Sequence, residues 1–76
     1  MSWNYRIMER RDKDGNHWFG IHEVYYTGHH TDGWTADAVA AQGDTAEEVV
    51  SSLTLMLEAQ DRTILKEWEL PGYDGP

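Results

Sequence analysis

The sequence predicts an α+β domain in which one helix packs on one face of an antiparallel sheet, in the order β-β-β-α-β. Two strand-like runs flank an Asp-Gly turn near the N-terminus. One strongly punctuated helix follows in the second half of the chain. A sheet of three or four strands and a single helix would bury their apolar faces against each other in two layers. We expect one domain over residues 1–70 and a flexible C-terminal tail over 71–76.

The first two strands are predicted over residues 3–10 and 17–26, joined by a turn at Asp14-Gly15. The second of these runs is rich in aromatic and β-branched residues, which favour strands. A polar loop is predicted over residues 27–33. Weaker alternation indicates a third strand over residues 34–41 and a short fourth strand over residues 63–69.

The helix is predicted to begin at Thr45, which forms a capping box with Glu48. In such a box the Thr45 hydroxyl accepts from the Glu48 N–H, and the Glu48 carboxylate reaches back to the N–H of the cap. At 3.6 residues per turn, one face as far as Gln60 is apolar and is predicted to face the core; it comprises Ala46, Val49, Val50, Leu53, Met56, Leu57 and Gln60. Leu55 is predicted to point away from this stripe.

Composition narrows the class of protein. The chain has 76 residues and no cysteine, so it has neither disulfides nor thiolate metal sites. It shows no signal peptide and no apolar run long enough to cross a membrane. We expect a cytoplasmic protein without a membrane partner.

The charge distribution is strongly asymmetric. The formal net charge is −8, and residues 14–61 contain no lysine or arginine. Direct binding to nucleic acid is disfavoured, because neutralising phosphates requires a basic surface. A basic protein, such as one that processes nucleic acid, is favoured as the partner. The alternative is that the acidic surface only aids solubility.

No pattern in the sequence predicts catalysis, a metal site or a cofactor. The acidic turn at residues 12–16 lacks the glycine at the sixth position that a calcium loop requires, since His17 stands there. The four histidines show no zinc-ligand spacing. Ser51 and Ser52 lie in mid-helix, a poor position for an activated nucleophile. We therefore expect a protein that is not an enzyme.

Partner binding is predicted at the outer helix face and at aromatic residues that exceed what one small core can hold. The predicted partner-binding residues are Glu47, Glu48, Glu58, Leu55, Asp37, Tyr25, Tyr26 and Trp34. The small size of the chain and its surplus of aromatic residues also lead us to expect a homodimer.

Three features resemble the HicB-like domain, the antitoxin half of a bacterial toxin–antitoxin pair. They are the Tyr-x-x-x strand at residues 5–8, the Lys-Asp-Gly turn at residues 13–15 and the Gly-Asp-Thr-x-Glu-Glu helix start at residues 43–48. The resemblance covers most of residues 4–66. It implies a partial ribonuclease-H-like fold, dimers or higher oligomers, and inhibition of a small basic ribonuclease toxin by covering its surface.

The sequence departs from the family pattern in two places. The Leu-Pro-Gly segment that commonly follows the second strand is replaced by residues 25–30, Tyr-Tyr-Thr-Gly-His-His. Many members also carry a C-terminal DNA-binding segment, for which residues 71–76 are too few. We therefore do not expect this chain to regulate an operon by itself.

Two other functions remain open at this point. One is a phage or mobile-element inhibitor, similar to an anti-CRISPR protein, whose carboxylates mimic nucleic acid phosphates. The other is a degenerate hydrolase on the ribonuclease-H-like scaffold. A shared fold does not decide between these functions.

Overall fold

A computed structural model describes residues 1–75 and shows an α+β fold built on a four-stranded sheet. The strands lie in the order β3-β2-β1-β4 across the sheet. Two short 3₁₀ turns, at Glu58–Asp61 and Glu67–Glu69, lie on either side of the last strand. The main elements are β1 (Ser2–Arg11), β2 (His17–Thr27), β3 (His30–Trp34), α1 (Ala46–Leu57) and β4 (Leu65–Lys66).

The predicted hairpin is confirmed and forms the centre of the sheet. β1 and β2 are antiparallel, with Ser2 opposite Tyr26 at one end and Arg11 opposite His17 at the other. The Asp12 carboxylate organises the turn, because its Oδ1 accepts hydrogen bonds from two backbone N–H groups further along the turn. Gly15 has a φ of 89°, a conformation that glycine adopts without steric cost.

The predicted third strand at residues 34–41 is wrong, since β3 occupies His30–Trp34. Gly28 has a φ of 59° and allows a tight turn, so the strand resumes where the polar loop was expected. Beyond β3 the chain stays beside β2 only through separate backbone bonds, from Thr35 N–H to Glu23 O and from Val39 N–H to Ile21 O.

The sheet is mixed, so the prediction of a fully antiparallel sheet is wrong at β4. This strand runs parallel to β1, with Leu65 opposite Met8 and Lys66 opposite Glu9. The direction of β4 follows from the segment that connects it to β3. Because β3 runs the same way as β1 and α1 then returns the chain to the end of the sheet where β1 starts, β4 runs in the same direction as β1. β4 is also shorter than predicted, because a 3₁₀ turn begins at Glu67.

The capping box is confirmed with one difference. The Thr45 hydroxyl accepts from the Glu48 N–H at 3.2 Å, but the Glu48 carboxylate accepts from the N–H of Asp44 at 2.9 Å rather than from the cap. The α-helix ends at Leu57, and a 3₁₀ turn continues to Asp61.

The helix is rotated relative to the predicted core-facing stripe. Its most buried position is Met56, with Val49 and Ser52 partly covered, and Ala59 in the following 3₁₀ turn is buried as well. Three members of the predicted stripe remain largely in solvent: Val50, Leu53 and Leu57 are 60%, 53% and 61% exposed. The 3₁₀ turn after the helix packs on β1, and the short link from there to β4 holds this orientation.

The buried core is small. Met8 and Val24 are fully buried on the sheet face opposite α1, whereas Met56 and Ala59 are buried on the face that the helix crosses. His22 and Glu67 are buried polar residues beside them. The fold therefore depends on few apolar contacts, and removing any one of them should be costly.

We expect Met8→Ala to lower the free energy of unfolding by about 2–5 kcal/mol, because it leaves a cavity in this core. Ile64→Ala, at a side chain that is 52% exposed, should cost less than about 1 kcal/mol. Urea unfolding followed by tryptophan fluorescence measures both variants. Equal losses would mean that Met8 does not hold the core.

Candidate protein-interaction surface

Strand alternation places Trp3, Tyr5 and Ile7 on the sheet face that α1 crosses. On one side of the helix, Leu55 and Glu58 lie across from Trp3 and Tyr5. The space between them is a groove of about 180 Å³, here called the helix–strand groove; its lining is Trp3, Asn4, Tyr5, Leu55, Glu58 and Arg62. It is open to solvent and combines apolar walls with charged groups at its rim.

The strand wall of this groove is aromatic. Trp3 and Tyr5 pack edge to face, with ring centroids 5.1 Å apart and planes at 89°. Trp3 is nevertheless 49% exposed, and Leu55 opposite it is 48% exposed. Large side chains held in place yet open to water are typical of residues that contribute most to protein–protein binding.

On the other side of the helix lies a second depression of about 280 Å³, here called the apolar trough. Its lining is Ile7, Ile21, Leu53, Met56, Leu57 and Gln60, and it contains no ionisable side chain. The helix thus stands as a ridge between a groove with charged groups and a trough without them. Its outermost face, between the two, carries Glu47 and Thr54.

The opposite face of the sheet carries a cleft of about 430 Å³, lined in part by Trp18, Trp34 and residues 72–75. Glu67 is at its base, where its Oε2 accepts from Trp34 Nε1 at 2.8 Å and lies 3.2 Å from Arg10 Nε. Arg10 also stacks over Trp18, 5.6 Å from the ring centroid. The charges of Arg10 and Glu67 neutralise each other, and the contacts of Glu67 with Arg10 and Trp34 attach the segment after β4 to the sheet.

His22 is fully buried beside this cluster. Burial lowers the pKa of His22 below its usual value of 6.5. Its Nδ1 lies 2.9 Å from the carbonyl oxygen of Thr35, so the neutral ring donates there. The Thr35 hydroxyl is also 3.2 Å from the same nitrogen. A nitrogen that already carries a proton cannot take one from that hydroxyl, so the two residues do not form an activated nucleophile.

Asp12 and His17, two of the other residues considered for metal binding, have structural partners. The Asp12 carboxylate serves the turn, where Asn16 hydrogen bonds lower the pKa of Asp12. His17 Nδ1 lies 2.8 Å from the carboxylate of Glu9. Among residues 1–75, no group of three histidine, aspartate or glutamate side chains is placed to hold a metal ion.

The structure brings together only some of the predicted partner-binding residues. Leu55 and Glu58 meet in the helix–strand groove, and Glu47 is exposed on the same helix. Glu48 is also exposed, but its carboxylate is engaged in the helix cap. Asp37 is exposed in the segment between β3 and α1 and does not line the helix–strand groove.

The predicted aromatic residues are divided between surfaces. Tyr25 lies on the helix-bearing face, and its hydroxyl donates to Glu23. Loss of hydration and this hydrogen bond to Glu23 raise the pKa of Tyr25. Tyr26 lies on the opposite face, where its hydroxyl donates to Asn4. Trp34 is in the cleft on that opposite face. None of the three lines the helix–strand groove.

Trp3 and Tyr5 line the groove but were not among the predicted binding residues. Their alternation with Ile7 did place all three on one face. The missing information was the position of the helix, since only the rotation of α1 leaves Trp3 uncovered and turns Leu55 towards it.

The predicted tail is in part described. Residues 72–75 line the cleft, and the Tyr73 N–H donates to Leu70 O at 3.2 Å. The flexibility of the tail over residues 71–76 stays a prediction, and Pro76 lies outside the described residues.

Comparisons with protein-family models, with curated proteins and with solved structures find no match to this chain. Over residues 1–75, no helix has both the length and the apolar character needed to cross a membrane.

We expect the free energy of unfolding to fall as the pH drops below about 6.5. The lowered pKa of folded His22 means that the unfolded chain binds the proton more readily, so acid favours unfolding; above that pH the effect is absent. The slope that His22 contributes is at most about 1.4 kcal/mol per pH unit.

Urea titrations across this pH range, on the wild type and on His22→Gln, measure that contribution. The His22→Gln variant should lose part of the slope. His29→Gln, at an exposed loop position, should retain it. If the wild type and His22→Gln give parallel curves, His22 does not carry the acid sensitivity.

Proposed function

We propose that this protein is a non-enzymatic, acidic binding module that inhibits a basic protein partner, such as a ribonuclease toxin, by covering its surface. One observation carries the proposal: most of the carboxylates have no cationic partner. Within residues 1–75, the one ion pair between an arginine or lysine and a carboxylate joins Arg10 to Glu67. The remaining acidic groups are left to attract positive charge from outside the chain.

The three arginines of β1, which are half of the basic residues of the chain, interact within the fold. Arg6 donates to Tyr26 and to Thr63, and Arg11 stacks on Trp68 with its guanidinium carbon 4.4 Å from the ring centroid. The exposed carboxylates of Glu47 and Glu58, at the two ends of α1, therefore have no arginine or lysine partner, and the last turn of the helix contains no basic residue.

The helix–strand groove supplies exposed apolar side chains, which can hold a partner after charge has attracted it. Long-range attraction speeds encounter, whereas a few desolvated large side chains determine how slowly a complex dissociates. Trp3 and Leu55 would provide such apolar anchors, and Glu47 and Glu58 on the adjoining helix face would meet lysine or arginine side chains around them. The resemblance to HicB-like domains supports a ribonuclease toxin as the partner.

A phage or mobile-element inhibitor of a nucleic-acid-binding complex would use the same surface. It is favoured by the charge pattern, since β2, β3 and α1 lie in a stretch without lysine or arginine. Capture of partners from the native host on the immobilised protein, identified by mass spectrometry, separates the two functions. A small basic ribonuclease would support the first, and a subunit of a nucleic-acid-binding complex would support the second.

Once the partner has been identified, its affinity for the double variant Glu47→Lys/Glu58→Lys should be about 10- to 100-fold weaker than for the wild type at low salt. The difference should shrink as salt is added, because exposed charges are screened. Glu48 is left unchanged, since its carboxylate caps the helix. Calorimetry or surface plasmon resonance at several salt concentrations gives the affinities.

Asp14→Lys/Glu69→Lys is the matched control, because it makes the same change in net charge at exposed positions outside α1. It should have a much smaller effect. Equal losses in the two variants would mean that only net charge matters. Unchanged affinity in the α1 variant would contradict the proposal.

The apolar anchor can be tested separately. Trp3→Ala should raise the dissociation rate by about 10-fold or more, because interface tryptophans often account for over 1 kcal/mol of binding. Trp18→Ala removes a similarly exposed tryptophan from the opposite face and should leave the rate nearly unchanged. Stopped-flow or resonance measurements of dissociation would show whether the groove is the contact.

A further inference from the structure

The apolar stripe of α1 has no partner within residues 1–75 that covers it. Val50, Leu53 and Leu57, here called the apolar flank, recur at three- and four-residue spacing and are each more than half exposed. They adjoin the apolar trough, where Ile7 and Ile21 form the sheet side. The flank and trough together form one continuous apolar surface, an arrangement typical of an interaction site.

The dimensions of the chain show that its surface is incompletely buried. The accessible surface is 5352 Å², against about 4,800 Å² for a compact monomer of this mass. The radius of gyration is 13.3 Å, against about 11.4 Å for a compact domain of this length. The excess of about 550 Å² is about two thirds of the roughly 800 Å² that each partner buries in a standard protein interface.

The chemistry of this surface fits a second copy of the chain better than a basic partner. From Val49 to Leu57 the helix carries no ionisable side chain, and neither does the lining of the trough. A basic partner would find nothing there to pair with. Two acidic chains, by contrast, can meet at this surface without bringing carboxylates into the centre of the contact.

We propose that two copies of this chain associate through the apolar flank of α1 and the adjoining trough. In an antiparallel arrangement about a two-fold axis, Leu53 lies near the axis, and Val50 of one copy lies opposite Leu57 of the other. The helix dipoles then oppose each other favourably. The helix–strand groove lies on the other side of α1, so it remains free in the dimer for the partner proposed above.

Sedimentation equilibrium and light scattering test this on the intact protein. At about 100 µM chain, well above the micromolar dissociation constants of weak interfaces of this size, the wild type should have twice the monomer mass of 8.8 kDa. Leu53→Glu should raise the dimer dissociation constant by about 100-fold or more, because a change at a two-fold interface acts twice.

Leu55→Glu is the matched control. It places the same charge on the same helix, at a position of similar exposure on the groove side, and should leave the dimer intact. Circular dichroism confirms that both variants are folded. A monomeric wild type at this concentration would overturn the proposal, as would equal loss of the dimer in the two folded variants.

A second variant keeps the test valid if Leu53→Glu does not fold. The chain has no cysteine, so Leu53→Cys introduces a single thiol near the proposed axis. Under mild oxidation it should form a disulfide-linked dimer rapidly at low concentration, whereas Leu55→Cys should not. Equal cross-linking of the two variants would contradict the geometry.

The dimer and the partner site can fail independently. A Leu53→Glu monomer that still binds the captured basic partner would support the placement of the two sites on opposite sides of α1. Wild-type protein that stays monomeric while an amphipathic basic peptide protects Leu53 and Leu57 from hydrogen exchange would overturn the dimer and assign the flank to the partner instead.

Discussion

The register between β1 and β2 is the constraint on which the rest of the structure depends. Both outer strands add to this hairpin, and its pairing from Ser2 to Arg11 decides which side chains share a face. Because side chains alternate with a period of two, a slip of one residue would exchange the faces and expose Met8. The Asp12 turn, which sets the register, thus governs both the core and the position of the aromatic groove wall.

A second constraint is that one helix of twelve residues cannot cover a four-stranded sheet. It crosses the sheet as a ridge, with Met56 and, in the following 3₁₀ turn, Ala59 buried against the strands, and it leaves apolar side chains exposed on both of its sides. On the opposite face, the segment after β4 takes over the covering role through Glu67, which holds Trp34 and Arg10. Incomplete burial and available binding surface are therefore the same property of this fold.

Charge is divided by the same architecture. The arginines of β1 turn towards tyrosine, tryptophan and Glu67 within the fold, so they support the sheet instead of neutralising the helix. The helix carboxylates are left at the surface beside the groove that contains Trp3 and Leu55. In the arrangement that we propose, acidic and apolar groups on one side of α1 serve a basic partner, while the uncharged flank serves a second copy.

Local chemistry by itself determined the hairpin, its turn and the start of the helix, because Asp12, Gly15 and the Thr45–Glu48 cap act through neighbours in sequence. It also determined the acidic character and the excess of aromatic residues over what the core can hold. Only the tertiary structure decided the direction of β4, the place of β3 and the rotation of α1. These depend on how the chain returns to the β1 edge, a long-range connection. Hydrophobic periodicity shows that a helix has an apolar side, but not how much of that side the remaining sheet can cover.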